Sequence, residues 1–274
     1  MTDSDVKDTD IAFGLVLTPS GTGNQWADRI RAAEQQGWTS VLVPDTLWTV
    51  SPFPALAAAA AVTSDIRLRT WVLAAPLRSP AVVARETAAL QALSDGRFEL
   101  GIGTGRPDAE REAGQLGVPW GSAADRREQV IRVAAEVRSK VNPAPPVVMA
   151  AVGPRMLELA GSTADRIALA LPPLADGREL TAAVERVQAV ATRPVGLSQQ
   201  LSGMSGQLPE WLRHNGPTAD EMIEHRAVGM LMGDADEVAA TLLRRHANLG
   251  IDEYIVPGDL AELFAPVIAA VRAH

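Results

Sequence analysis

Apolar positions along the chain repeat one unit: a short aliphatic run, a polar or glycine-containing loop, and an amphipathic stretch of helical period. The first unit has an apolar run over 11–17, a loop of Thr, Pro, Ser and Gly, and a helical pattern over 24–36 that stops at Gly37. The same alternation predicts strands over 40–44, 67–74 and 97–103, followed by helices over 54–63, 79–93 and 123–140. It continues with strands over 146–151, 166–171, 194–199 and 253–256, and helices over 154–163, 177–190 and 260–273. Ser79 with Pro80 marks one helix start; Asp234 with Glu237 and Asp259 with Glu262 read as capping boxes. Gly96 and Gly250 read as helix stops.

Helical crossovers return a chain to begin a parallel neighbour, so this alternation predicts parallel strands with helices outside them. An open doubly wound sheet would use the same alternation. Eight strands in 274 residues favour closure, because an α/β barrel typically takes about 250 residues as one domain. The expectation is a single-domain (β/α)8 TIM barrel over residues 11–274, preceded by an irregular arm over 1–10. Two loops exceed what a connection requires, 104–122 after the fourth strand and 201–218 after the seventh. Both fall on the C-terminal face, where barrels build their sites; a decorative or dimer-forming loop is the alternative.

Composition narrows the chemistry. Apolar residues make up 47% of the chain and charged ones 21%, enough to bury a large core. No cysteine is present, which excludes disulfides, thiolate nucleophiles, iron–sulfur ligation and the usual structural zinc sites. Redox chemistry would then require a bound cofactor. A net charge of −8 with dispersed basic residues disfavours nucleic acid as a partner. No apolar run approaches the roughly 18 residues of a membrane span, and the polar, acidic start is unlike a secretory signal. The cytoplasm is the expected compartment.

Several strand ends carry candidate contacts. Gly101-Ile102-Gly103-Thr104-Gly105 ends the fourth strand and would let backbone N–H groups approach a ligand, although a tight strand exit explains it equally well. Ala151-Val152-Gly153-Pro154-Arg155 passes from strand to helix, where free N–H groups and Arg155 could attract an anion; a solvated arginine after an ordinary Gly-Pro helix start is the alternative. After the second strand, Asp45, Thr46 and Trp48 set an acid, a hydroxyl and an aromatic at the mouth, where Asp45 could instead be a turn acceptor and Trp48 a core residue. Trp71 is expected in the packed barrel core. No histidine lies at a strand end, which argues against a metal site and a Ser-His-Asp triad.

Taken together, these segments resemble the bacterial luciferase-like family of flavin-dependent oxidoreductases, and within it the deazaflavin (coenzyme F-420) branch. The resemblance rests on Pro76-Leu77-Arg78-Ser79-Pro80, on Ser94-Asp95-Gly96-Arg97-Phe98-Glu99 leading to Gly103, on Ala151 to Met156, and on Met232-Gly233-Asp234-Ala235-Asp236-Glu237-Val238. It implies a barrel whose cofactor ring lies over the mouth against the end of the third strand, often beside a non-proline cis peptide; Ala74 and Ala75 match that place. It implies a phosphate site at Gly103, Thr104 and Gly105 and at Gly153, Pro154 and Arg155. The cofactor so implied is coenzyme F-420, or alternatively FMN, with hydride transfer or, for FMN, monooxygenation of a small organic substrate. Asp45, Thr46, Trp48, Arg106 and Trp120 are the substrate-facing candidates.

Two departures bear on catalysis. Thr46 stands where many deazaflavin members carry His, and Arg106 stands near the acid that some dehydrogenases use, so no catalytic residue is assigned. The segment before the fifth strand is also short, which implies an open pocket. A non-catalytic flavin-binding relative and a cofactor-independent barrel lyase or isomerase are the alternative readings. The family commonly dimerises, and the Ala-rich stretch over 55–62 could form such an interface or be an ordinary barrel helix.

Overall fold

The computed structural model describes residues 11–106 and 108–273, so the expected arm over 1–10 lies outside the described residues. The strands are β1 (Ala12–Val16), β2 (Ser40–Val43), β3 (Arg67–Thr70), β4 (Leu73–Ala74), β5 (Phe98–Gly103), β6 (Val147–Ala151), β7 (Arg166–Leu169), β8 (Gly196–Gln200), the short pair β9 (Gly203–Met204) and β10 (Met230–Leu231), and β11 (Ile251–Pro257). The main sheet runs β3-β2-β1-β11-β8-β7-β6-β5-β4 with parallel pairings. It closes where Leu68 and Arg69 of β3 pair with Phe98 and Glu99 of β5. Because β3 and β4 are two halves of one stave, the result is a closed eight-stave parallel barrel, as the alternation predicts. Every residue of β2 and β5 is buried, as expected for strands covered by helices outside and by side chains inside.

Around the barrel run α1 (Gly23–Gln35), α2 (Pro52–Ala60), α3 (Pro80–Leu93), α4 (Ala109–Leu116), α5 (Ala123–Lys140), α6 (Pro154–Thr163), α7 (Gly177–Gln188), α8 (Glu210–Asn215), α9 (Ala219–Glu224), α10 (Ala235–Leu249) and α11 (Ala261–Arg272). The Asp234–Glu237 capping box is formed. The Asp259–Glu262 box is not: Asp259 instead accepts the backbone N–H of Glu210 at 2.6 Å, fastening the start of α8.

Both long loops contain structure that the sequence pattern did not show. The first holds α4, and the excursion after β8 holds α8, α9 and the β9–β10 pair. These elements are too short to establish a period. The excursion has its own small core of Leu212, Met222, Ala227 and Met230.

Toward the N-terminal ends of the strands the interior is ionic. Arg69 is fully buried and donates to Glu99 at 2.6 Å and twice to Glu253 at 2.7 and 2.9 Å. Ser40 and Ser198 donate to the same Glu253. Burial pushes the Glu253 carboxyl up, but Arg69, with Arg166 and Ser198, outweighs it and holds the group at about 2. This network fixes the end of the barrel opposite the mouth.

Candidate active site

The third stave breaks between β3 and β4, and at the break the Trp71–Val72 peptide is cis. Thr70 stitches the break to β5: its hydroxyl donates to Gly101 O at 2.8 Å and accepts from Gly101 N at 3.0 Å. Gly101 is required there, since a Cβ would lie 1.9 Å from Thr70 O. At Gly103 a Cβ would meet Val72 Cγ2 at 3.1 Å and Ala150 Cβ at 3.4 Å. Small residues thus leave room for Val72 at the mouth.

A cavity of about 370 Å³ opens at this point. Its walls include Val72, Ala74, Gly103, Ala150 and Ala170, with Trp71 on one side. Such a volume lies within the roughly 300–1,000 Å³ typical of small-molecule sites. Trp71 is therefore not a core residue, contrary to expectation; the break turns it to the cavity, where it is half-buried and its indole N–H donates to Gln200 Oε1 at 3.3 Å. The cis peptide lies before the place that Ala74 and Ala75 were expected to mark. Ala74 lines the cavity, whereas Ala75 is 1% exposed and outside its lining.

Ionic pairs tie the rim together. Asp45 is buried and accepts from Arg78, with Nε at 3.3 Å, and from the Ala74 N–H at 3.4 Å. Thr46 shares a hydrogen bond with Thr49 at 2.8 Å. Arg106 pairs with Glu112 of α4 and with Asp108, and its Cζ sits 4.4 Å over the Trp48 ring. Glu112 also accepts the Leu47 N–H at 3.3 Å, so the loops after β2 and β5 are clasped together. Asp45, Thr46 and Arg106 line the cavity; Trp48 stands outside its lining, 64% exposed.

Thr104 and Val152 also line a second cavity of about 400 Å³, which adjoins the first. Its walls bring together Gly153, Pro154 and Arg155 at the start of α6 with Arg126 and Arg127 near the start of α5. Gly153, at φ +73°, has no side chain to cap the helix, and Pro154 has no N–H. The N–H groups of Arg155 and Met156 therefore begin the helix, where anions are favoured. Gly105, at φ +84°, touches Trp120: a Cβ there would lie 2.5 Å from Trp120 Cη2. Trp120 in turn carries Arg126, whose Cζ is 4.5 Å from the ring. The buried Nε of Arg126 has no hydrogen-bond partner. The Ser122 hydroxyl and N–H hold the Asp125 carboxyl below the usual range, so that acid is engaged at its own helix cap.

The geometry suits a flat heteroaromatic ring over the alanine and glycine floor, with an anionic arm reaching the arginines. Sequence reasoning missed Val72, Arg78, Glu112, Arg126 and Arg127. Arg126-Arg127 lies in a helical pattern that reads as a solvated face, and the fold alone brings it beside Arg155. Among the described residues, no group of three or more His, Asp or Glu could hold a metal ion, and no helix is long and apolar enough to cross a membrane.

A 5,10-methylenetetrahydromethanopterin reductase of Methanolobus tindarius is 27% identical over 177 residues, covering 57% of this chain and 53% of the relative. An F-420-dependent glucose-6-phosphate dehydrogenase of Beutenbergia cavernae is 42% identical over 103 residues, covering 34% of this chain and 30% of the relative. The chain therefore spans about half the length of the first of these curated relatives and less of the second. In three dimensions the coenzyme F-420-dependent tetrahydromethanopterin reductase of Methanopyrus kandleri superposes with a TM-score of 0.69 at 18% identity, covering 95% of this chain and 97% of that one. The luciferase-like monooxygenase model matches residues 12–207, more than half of the chain, and the protein belongs to that family.

Proposed function

We propose that the protein is an oxidoreductase that binds coenzyme F-420 at the mouth of its barrel and acts on a small, uncharged organic substrate. One observation carries this reading: the flat-floored cavity beside Val72 adjoins the arginine-lined cavity at the starts of α5 and α6. Ala74, Gly103 and Val72 would support the ring, and Thr104, Gly105, Gly153, Pro154, Arg155, Arg126 and Arg127 would hold the arm that carries the phosphate. When bound, the deazaflavin supplies a two-electron hydride carrier. The chain's own residues bind, orient and exclude water around it. The substrate side is Thr46, Trp71 and the Trp48–Arg106 pair, with Trp120 acting from behind Gly105. Asp45 and Arg106 already have counter-ions, so no unpaired charge at the rim selects a charged substrate.

The test is anaerobic incubation of oxidised coenzyme F-420 with a panel of alcohols and aldehydes as hydride donors. Loss of the oxidised cofactor's visible absorbance with one of them is the expected result. FMN is the alternative cofactor, because a single phosphate also satisfies the start of α6. A second reading, a flavin-binding relative without catalysis, is favoured by the pairing of Asp45 and Arg106. Binding without turnover across the panel would favour it.

The same reading places the protein in the cytoplasm, without nucleic-acid partners, as the net charge of −8 suggests. A homodimer through α2 belongs to it, resting on the exposed Pro54 and Ala58 of that helix. The molar mass in solution tests this.

A further inference from the structure

Asp45, Thr46 and Arg106 line the mouth, and each is already engaged: Asp45 by Arg78, Thr46 by Thr49 and Arg106 by Glu112. Gln200, at the end of β8, is only half engaged. Ser198 points into the barrel, where it donates to Glu253, and strand residues alternate in direction, so Gln200 points inward as well. Its backbone is fixed opposite Ile255 of β11, whose carbonyl accepts the Leu201 N–H at 2.8 Å. On the other side β7 pairs with β8 up to Leu169 and Gln199. The next residue of that stave, Ala170, lines the mouth, so Gln200 stands at its edge. From there it reaches across the barrel to Trp71 of the third stave.

An indole N–H can only donate, so the amide atom facing Trp71 is the oxygen. Nε2 is turned away from the indole and has no hydrogen-bonding partner among the described residues. The side chain is half-buried, beside the apolar wall that Trp71 and Ala170 supply. A neutral donor held in this way suits an uncharged oxygen acceptor, because it brings no charge to balance an anion.

We propose that Gln200 determines substrate specificity: its amide N–H donates to the carbonyl or hydroxyl oxygen of the substrate, whose apolar body lies against Trp71. The proposal rests on the reading of the protein as a coenzyme F-420-dependent oxidoreductase. It narrows the substrates to small uncharged alcohols and the matching aldehydes or ketones. An alcohol and the carbonyl compound derived from it keep the same oxygen, so one donor serves both. Trp71 has two roles, as a wall of the cavity and as the group that turns the amide.

The test is a calorimetric titration of the protein saturated with oxidised coenzyme F-420, using acetophenone and α-methylstyrene, which carries a CH2 group in place of the carbonyl oxygen. The ketone is expected to bind roughly five- to ten-fold more tightly, as one net hydrogen bond provides. Gln200→Met keeps much of the volume but no donor, and the ratio falls toward one. Gln200→Glu, at about pH 8, keeps an acceptor for the Trp71 indole and removes the donors, so the ratio falls there too. A residue that only positioned Trp71 would leave the ratio unchanged in Gln200→Glu. Equal affinity for the two compounds in the unaltered protein, or binding of neither, overturns the proposal while leaving the cofactor reading intact. A ratio retained in either variant overturns the assignment to the Gln200 donors. Weaker binding of coenzyme F-420 itself in Gln200→Met would place the amide on the cofactor and overturn the proposal as well. Failure of coenzyme F-420 to bind the unaltered protein overturns the underlying reading and the proposal with it.

Discussion

Asp45 and Arg78 form an ion pair beneath the rim, and the same carboxylate accepts the Ala74 N–H at 3.4 Å. The acid thus joins the end of the second stave to the strand that floors the cavity. It acts as a positioning group, since its oxygens face Arg78 and the backbone.

Asp45→Asn should therefore weaken the site by loosening β4. Removing one partner of a fully buried pair costs about 3–5 kcal/mol, but Arg78 is partly exposed, so about 1–2 kcal/mol is expected. Thermal unfolding should shift down by a few degrees. Cofactor affinity should fall several-fold, as read by fluorescence titration. An unchanged affinity would detach Asp45 from the site.

Gly105→Ala tests the line from Gly105 through Trp120 to Arg126. The positive φ strains any side chain there, and the new Cβ would push on Trp120. Displacing Trp120 should move Arg126 and reduce affinity for the phosphate-bearing cofactor about ten-fold. Affinity for a ring fragment lacking phosphate should change little, and an equal loss for both would place the effect in the ring cavity.

Arg106→Gln removes a partner from Glu112, whose side chain is 4% exposed. A buried charge left short of partners costs about 1–3 kcal/mol. The clasp between the loops after β2 and β5 should loosen, giving roughly ten-fold faster amide exchange at Leu47 and along α4. Exchange unchanged at both places would show that Arg106 does not hold the clasp.

The Glu253 network gives a pH dependence with a definite sign. Its carboxyl lies at about 2 in the folded protein, below the usual carboxylate range, so the stabilisation is complete above that range. It is lost as pH falls toward 2. Glu253→Gln should be destabilised at neutral pH by less than the about 3–5 kcal/mol of a buried charge left uncompensated, because Arg69 keeps Glu99 as its remaining acidic partner. Denaturant unfolding between neutral pH and pH 3 should show a smaller loss of stability in the variant. Parallel curves for the two proteins would mean that Glu253 is not the group responsible.

The barrel was legible because its signal is repetition: β2, β5 and the other strands pair with helical patterns long enough to establish a period. Gly153-Pro154-Arg155 was legible for a local reason, since a glycine and a proline at a helix start imply free N–H groups. Trp71 was misread because alternation assumes an unbroken strand, and the stave breaks after Thr70. Arg126, Arg127 and Glu112 were missed because their meaning is tertiary. Nothing within α5 says that its first turn faces α6, and nothing within α4 says that Glu112 meets Arg106. Asp259 shows the converse: a residue spaced for a capping box fastens a different helix.

The most direct test is a parallel titration of purified, ligand-free protein with coenzyme F-420 and with FMN. The account predicts saturable binding of coenzyme F-420, weakened about ten-fold or more in Arg155→Gln, with FMN binding more weakly. Absence of binding by both cofactors would contradict the account, and tighter binding of FMN would contradict its choice of cofactor.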